Sequence, residues 1–223
     1  MSSSANAPGT KARMLARAAA DIAPGMTVNL GIGLPTQVLA HLDPALPVCV
    51  HSENGIVGAG PVTPAGTEDR TLIDSGGAYL SRVPGTSFCD SAVSFAIVRS
   101  GRLDLTLLGA FQVAANGDLA NWRIPGKTAP GVGGAIELAQ KARRVGVIMT
   151  HVDRAGAPKI VEACSLPLTA RGQVGRIYTD LAVIDVTPRG LSLVELAVEV
   201  SLQEVRDATA APLSAPAGPI PRF

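Results

Sequence analysis

Apolar residues Leu15, Ala18, Ala19 and Ile22 recur at the i, i+3, i+4, i+7 spacing of one buried helical face. That spacing predicts a helix over about 11–23, with Thr10 as its N-cap and Pro24-Gly25 as its stop. Residues 26–32 (MTVNLGI) read as a buried strand. Pro35 suits the first position of a short helix reaching Leu42. A second apolar run, 48–51, breaks at Ser52-Glu53-Asn54-Gly55. A glycine-rich stretch follows through Gly58, Gly60 and Gly66, with 71–74 as a further strand candidate. Asp90 or Ser91 is placed to cap a helix to about Arg99, and the Leu/Thr content of 104–108 predicts a strand.

The later chain repeats this logic. Gly131-Val132-Gly133-Gly134 precedes a helical stretch to about Ala142, and 145–150 reads as a buried strand. Residues 177–186 and 191–196 form two more strands, joined by the turn Thr187-Pro188-Arg189-Gly190. Ser201 and Glu204 make a capping box for a last helix near 202–209. Strands alternating with helices predict an α/β fold: an open, mostly parallel sheet flanked by helices. The expected organisation is a disordered leader at 1–9, one domain over 10–210 and a Pro-rich tail at 211–223.

Charge and composition narrow the function. Lys and Arg total 19 against 18 Asp and Glu, and the seven aromatics do not cluster, so no nucleic-acid footprint is visible. Cys49, Cys89 and Cys164 are far apart and odd in number, which fits free thiols rather than a disulfide framework or a thiolate metal site. The first residues lack the apolar core of a secretory signal, and no apolar run reaches the roughly 18 residues of a spanning helix. The expected location is the cytoplasm, with no membrane association.

Three glycine-rich segments, 29–33, 52–55 and 131–134, fall where strands end or helices begin. In open α/β sheets such segments converge on a crevice at the carboxyl ends of the strands; each taken alone is an ordinary tight turn. Gly31-x-Gly33 lacks the third glycine of a dinucleotide fingerprint, because Thr36 stands there. No G-x-S-x-G elbow occurs, and His41, His51 and His151 lack metal-ligand spacing. Glu53 stands in a turn directly after an apolar run, among Ser, Asn and Gly. A lone turn carboxylate is usually solvated, so its context decides.

That context, His51-Ser52-Glu53-Asn54-Gly55-Ile56-Val57-Gly58, resembles the second signature of the class I coenzyme A-transferases. Asn29-Leu30-Gly31-Ile32-Gly33-Leu34-Pro35 is similar to the family's opening strand and turn. So are 88–109, Gly117-Asp118-Leu119-Ala120-Asn121-Trp122, Pro125-Gly126-Lys127, Gly133-Gly134, Lys159-Ile160, Leu166-Pro167-Leu168-Thr169 and Ile177-Tyr178-Thr179-Asp180 to later stretches. The resemblance spans nearly all of 10–210 and points to the β (B) subunit of the 3-oxoacid branch. Two departures stand out: Ala197-Val198-Glu199-Val200 replaces the usual Ala-Pro-Gly-Val, and the glycine loop is flanked by Val132 and Ile136 instead of Met.

The resemblance implies that Glu53 is the nucleophile and that coenzyme A is both substrate and covalent partner, with no separate cofactor and no metal. It implies an oxyanion donor at the Gly134 amide, with Gly133 shaping the loop. Asn29, Gly31, Gly33 and Asn54 are implied as coenzyme A-binding or orienting positions. It further implies an α-subunit partner in a heterodimer or α2β2 heterotetramer, and acyl-CoA and carboxylic acid substrates, with succinyl-CoA as donor and a 3-oxo acid as acceptor. Two alternatives stay open on the same fold: a hydrolase acting on acyl-CoA or opening a ring, and a non-catalytic effector-binding module.

Overall fold

The computed structural model describes residues 9–127 and 131–223. In chain order the elements are α1 (Thr10–Ala19), β1 (Thr27–Leu30), a 3₁₀ segment (Pro35–His41), β2 (Cys49–Ser52), β3 (Ile56–Val62), β4 (Leu80–Phe88) and α2 (Ser91–Arg99). Then come β5 (Leu105–Leu108), β6 (Gln112–Ala114), β7 (Leu119–Ala120), α3 (Ala135–Lys141), β8 (Val145–Ile148), β9 (Ile160–Val161) and β10 (Arg176–Tyr178). The chain finishes with β11 (Ala182–Thr187), β12 (Gly190–Leu196), α4 (Leu202–Asp207) and β13 (Leu213–Ser214).

Ten strands form one sheet in the order β13-β12-β11-β10-β8-β5-β1-β2-β3-β4. Its centre, from β10 to β2, is parallel throughout. Antiparallel strands extend it on both sides: β3 and β4 beyond β2, β11 and β12 beyond β10. The central strands β5 and β8 are buried at every position, as expected where both faces are covered. A separate small sheet has the order β7-β6-β9, and Asn121, Trp122 and Lys159 beside it share a cavity with Gly31, Gly109 and Met149, which follow β1, β5 and β8.

The pleat divides the core between the two faces. Leu105 and Leu107 pack with Met14, Leu15 and Ala18 of α1, whereas Leu108 joins Val98, Leu138 and Ile184 in the larger cluster. A third, smaller cluster (Ile56, Ala59, Leu72 and Leu80) lies between β3 and β4. Helix α1 is also fastened by charge. Arg17 forms a two-pronged pair with Glu195 of β12 at 2.6 and 2.7 Å, and Asp21 meets Arg17 and Arg176 at 2.7 Å.

Several boundaries differ from the pattern-based reading. Gly9, at φ 86°, takes the N-cap of α1, so Thr10 is its buried first residue, and the helix stops at Ala19, well short of 23. The 177–186 strand is two strands, because the Thr179 hydroxyl accepts from the Leu181 and Ala182 amides and reverses the chain. Residues 71–74 are turn, with a single bridge from Ile73 to Tyr79, while the Gly- and Pro-punctuated stretches flanking them carry β3 and β4. Asp90 caps α2 by accepting from the Val93 amide, and Ser201 and Glu204 form the expected capping box.

The Pro-rich stretch 211–223 does not hang away from the domain. Leu213 and Ser214 pair with β12, Phe223 packs on the core, and Arg222 donates to the carbonyls of Ala197, Val198 and Val200 at 2.7–3.0 Å. Prolines forbid a helix there but tolerate an extended edge, and the interspersed Leu213, Ile220 and Phe223 supply apolar surface to bury. The expected leader, 1–9, lies outside the described residues except for Gly9.

Candidate active site

Glu53 sits at the tip of the hairpin joining β2 to β3, at the carboxyl end of β2. Two contacts fix that tip. The Gly55 amide donates to the Ser52 carbonyl at 3.0 Å, and the Cys89 amide donates to the Gly55 carbonyl at 2.9 Å. Gly55 has φ 111°, and any Cβ there would collide with the Cys89 carbonyl oxygen. Only glycine lets the turn press against the start of α2 this closely.

The side chain of Glu53 is held from below. In the sheet register Asn29 of β1 lies opposite His51 on one side and Thr106 on the other, so three polar side chains form a row across adjacent strands. All three are buried. The Asn29 amide donates to Glu53 Oε2 at 3.1 Å and to the His51 carbonyl at 3.1 Å, and it lies 3.3 Å from His51 Nδ1. The Asn29 amide nitrogen has two protons for Glu53 and the His51 carbonyl, and its approach to Nδ1 is the longer contact; on the other side of the ring, Nε2 lies 3.0 Å from Ser94 Oγ. Burial pushes the His51 pKa down, against the pull of the Glu53 charge, which keeps the ring neutral. Thr106 Oγ1 completes the row on Asn29 Oδ1 at 3.4 Å.

Above Glu53 lies the glycine loop. A Cβ at Gly134 would stand 3.6 Å from Glu53 Cγ and 2.9 Å from Phe95 Cζ, so the loop backbone and the carboxylate are near neighbours. Gly133 adopts φ 55°, a left-handed turn that aims the loop before α3. Glu53, Gly31 and residues 131–134 line one cavity of about 530 Å³, whose other walls include Leu108, Phe111, Trp122, Met149 and Lys159. The small sheet supplies part of this lining. Asn121 donates to the Gly109 carbonyl at 3.0 Å and accepts from Thr169 at 2.6 Å, and Trp122 Nε1 donates to Leu168 O at 3.3 Å.

The structure thus brings Glu53, Asn29, Gly31, Gly133 and Gly134 together. At Gly31 a Cβ would meet the Leu107 carbonyl at 3.2 Å, so this glycine permits strand contact at the cavity wall. Gly33 and Asn54 are placed elsewhere. Gly33, at φ 100°, turns the chain into the 3₁₀ segment, and its carbonyl accepts from Thr36 at 2.9 Å. Asn54 is exposed, and its amide is spent on the Ile73 carbonyl at 2.8 Å. Glu199 is exposed on the turn after β12 and does not line the cavity. The three cysteines are free and half-buried, and burial raises the Cys164 thiol to about 11. Pattern reading missed His51, Ser94, Thr106, Phe95 and Lys159 as site residues. For His51 and Thr106 the signal is the register of polar residues at Asn29, His51 and Thr106, visible only once β2, β1 and β5 are paired.

A carboxylate pinned on a rigid turn, facing a glycine loop across an apolar cavity at the carboxyl ends of parallel strands, is equipped for nucleophilic attack on an acyl group. The chain belongs to the coenzyme A transferase family, whose sequence profile matches residues 12–207. It is 47% identical over 199 residues to the B subunit of a probable succinyl-CoA:3-ketoacid coenzyme A transferase of Bacillus subtilis (strain 168), covering 89% of this chain and 92% of that one. It is 46% identical over 205 residues to the B subunit of 3-oxoadipate CoA-transferase of Acinetobacter baylyi (strain ATCC 33305 / BD413 / ADP1), covering 92% and 94%.

Among solved structures, an acyl-CoA transferase from Escherichia coli O157:H7 superposes with a TM-score of 0.75 at 20% identity, over 96% of this chain and 43% of that one. Glutaconate coenzyme A-transferase of Acidaminococcus fermentans gives 0.71 at 17% identity, over 95% and 90%. A decarboxylase, AibA/AibB, gives 0.72 at 20% identity, over 93% and 86%. These likenesses establish the fold and no more. Among the described residues, no helix is long and apolar enough to cross a membrane, and no cluster of three or more His, Cys, Asp or Glu is placed to hold a metal.

Proposed function

We propose that this chain is the β subunit of a 3-oxoacid coenzyme A-transferase and that Glu53 carries coenzyme A as a covalent thioester. The observation that carries the reading is the placement of Glu53 between the Asn29 amide, at 3.1 Å, and the Gly134 backbone. A Glu53 oxygen attacks the acyl-CoA carbonyl, and the C–S bond breaks to give a mixed anhydride and free thiolate. The thiolate then attacks the glutamyl carbonyl, the anhydride C–O bond breaks, and the first acid leaves as its carboxylate. The acceptor carboxylate reverses both steps. No redox change and no cofactor beyond coenzyme A enter this balance.

Each half passes through a tetrahedral oxyanion, for which the Gly134 amide is the proposed donor, with Gly133 setting its direction. Carboxylates are weak nucleophiles, so fixing Glu53 in position and excluding water supply much of the acceleration. The relatives named as B subunits support an α-subunit partner that completes the site; the proposed assembly is a heterodimer or α2β2 heterotetramer in the cytoplasm. Their names also support succinyl-CoA as donor and a 3-oxo acid as acceptor.

The test is to incubate the enzyme, assembled with its α subunit, with acyl-CoA and without acceptor. Intact-mass analysis should find coenzyme A on Glu53, removable by hydroxylamine and absent from Glu53→Ala. Steady acyl-CoA hydrolysis that needs no acceptor acid would refute transfer in favour of a hydrolase.

A further inference from the structure

Apart from Glu53, Lys159 is the only charged residue among the described residues lining the cavity. Among those residues it forms no ion pair within 4.0 Å, and the carboxylates whose charges reach it are Asp180 and Asp153, not Glu53. Burial lowers its pKa to about 8, so the ammonium form is held at neutral pH without a tight partner. Its backbone is fixed, because the Lys159 amide donates to the His151 carbonyl at 3.1 Å and its carbonyl accepts from Val113 at 2.9 Å. The residue therefore stands beyond the carboxyl end of β8, whereas Glu53 stands beyond that of β2. Strands β2, β1, β5 and β8 are neighbours in that order. At the usual spacing of neighbouring strands, the ends of β2 and β8 lie roughly 14 Å apart.

We infer that Lys159 anchors the distal carboxylate of a dicarboxylic acyl group whose other end reacts at Glu53. The span suits a short diacid laid across the ends of the strands, with its methylene carbons against Leu108, Phe111 and Met149. A monocarboxylic chain of equal length would leave the ammonium facing a methyl group. The two ends of the cavity thus have opposite charge and separate tasks: one forms the bond, the other sets which acid is accepted. This inference rests on the transfer reading above for the reacting end, but not for the binding end.

Succinate and butyrate share a chain length and differ only in the second carboxylate, so they are the probes. Equilibrium binding of each to the assembled enzyme should favour succinate, and Lys159→Met, which keeps the apolar stem, should cut that preference roughly 10- to 100-fold, the worth of a hydrogen bond to a charged group. Lys159→Arg should restore part of it. The ratio of kcat/KM for succinyl-CoA over butyryl-CoA should fall by the same factor in the Met variant. Equal wild-type affinity for the two acids overturns the assignment, as does a preference that survives Lys159→Met. A loss of coenzyme A affinity matching the loss for succinate overturns it too, placing the ammonium on a phosphate. Failure to trap coenzyme A on Glu53 while succinate binding still depends on Lys159 would strike at the transfer reading and leave the anchor standing.

Discussion

The amide of Asn29, itself wholly buried, donates to Oε2 of Glu53 at 3.1 Å across the end of the β1–β2 pair. The nucleophile is therefore oriented by a residue that solvent does not reach and that two other groups hold in turn: the His51 carbonyl and Thr106 Oγ1. Orientation of a weak nucleophile is worth most when the orienting group cannot itself move.

Asn29→Ala should lower kcat for transfer by roughly 10- to 100-fold, since a small displacement of a reacting group carries penalties of that order. Asn29→Asp should be worse, because it sets a second carboxylate against Glu53. The Ala variant should also lose about 1–3 kcal/mol of stability, as Thr106 and His51 are left without their buried partner. Steady-state kinetics alongside urea unfolding separate the two effects, and a variant that unfolds more easily with kcat intact would deny Asn29 its orienting role.

Gly134 allows a paired substitution. Alanine keeps the backbone N–H but pushes a methyl group to 2.9 Å from Phe95 Cζ and 3.6 Å from Glu53 Cγ. Proline suits the local φ of −79° yet removes the N–H. Both variants crowd Phe95, so the difference between them reports the amide. Gly134→Pro should be slower than Gly134→Ala by about 10²–10³ in kcat, the usual worth of one oxyanion donor. Equal rates would remove that amide from the chemistry.

Acid stability should depend on His151. Its ring is fully buried between Thr179 and Thr209, 2.9 Å from each hydroxyl, and burial, aided by the Lys159 charge, lowers its pKa from 6.5 to about 4. Between those values the unfolded chain binds the proton that the folded chain refuses, so stability rises with pH across the window and is lost as pH falls from 6.5 towards 4. The contribution is on the order of 3 kcal/mol. Asp180, whose pKa burial raises, acts with the opposite sign at the acid end. Urea unfolding at about pH 4.5 and about pH 7 should show a smaller difference in His151→Asn than in the parent; an unchanged difference would assign the acid limb to other groups.

Much of the fold is legible in the sequence. The parallel centre follows from unbroken apolar runs such as 145–148, and the caps at Asp90 and Ser201 from their side chains alone. What escapes such reading shares a cause: it depends on pairing between distant strands. Strands β3 and β4 are interrupted by Gly58, Gly60, Pro61 and Pro84, which locally signal turns, and become strands only by pairing, β3 with β2 and β4 with β3. The reversal at Thr179 hides between two apolar stretches that Thr179-Asp180 alone separates, because one hydroxyl makes the turn. Glu53 is legible through the residues beside it. Lys159 stands in one of the matching stretches, but its place at the cavity is not legible there, since it arises where the pairing of β6 with β9 brings it to the far side of the cavity. The tail is misread when its prolines are weighed and the apolar residues between them are not.

The hairpin that carries Glu53 packs over the smallest of the three apolar clusters, at the flank where the sheet ends in β4. Protection against local opening follows buried contact, so this margin should be the first part of the molecule to loosen. Catalysis would then fail at a lower temperature than the fold, with transfer activity gone while most helical circular dichroism persists. Amide exchange in β3 and β4 should outpace that in β5 and β8. Coincident loss of activity and ellipticity would show instead that the flank and the centre melt as one unit.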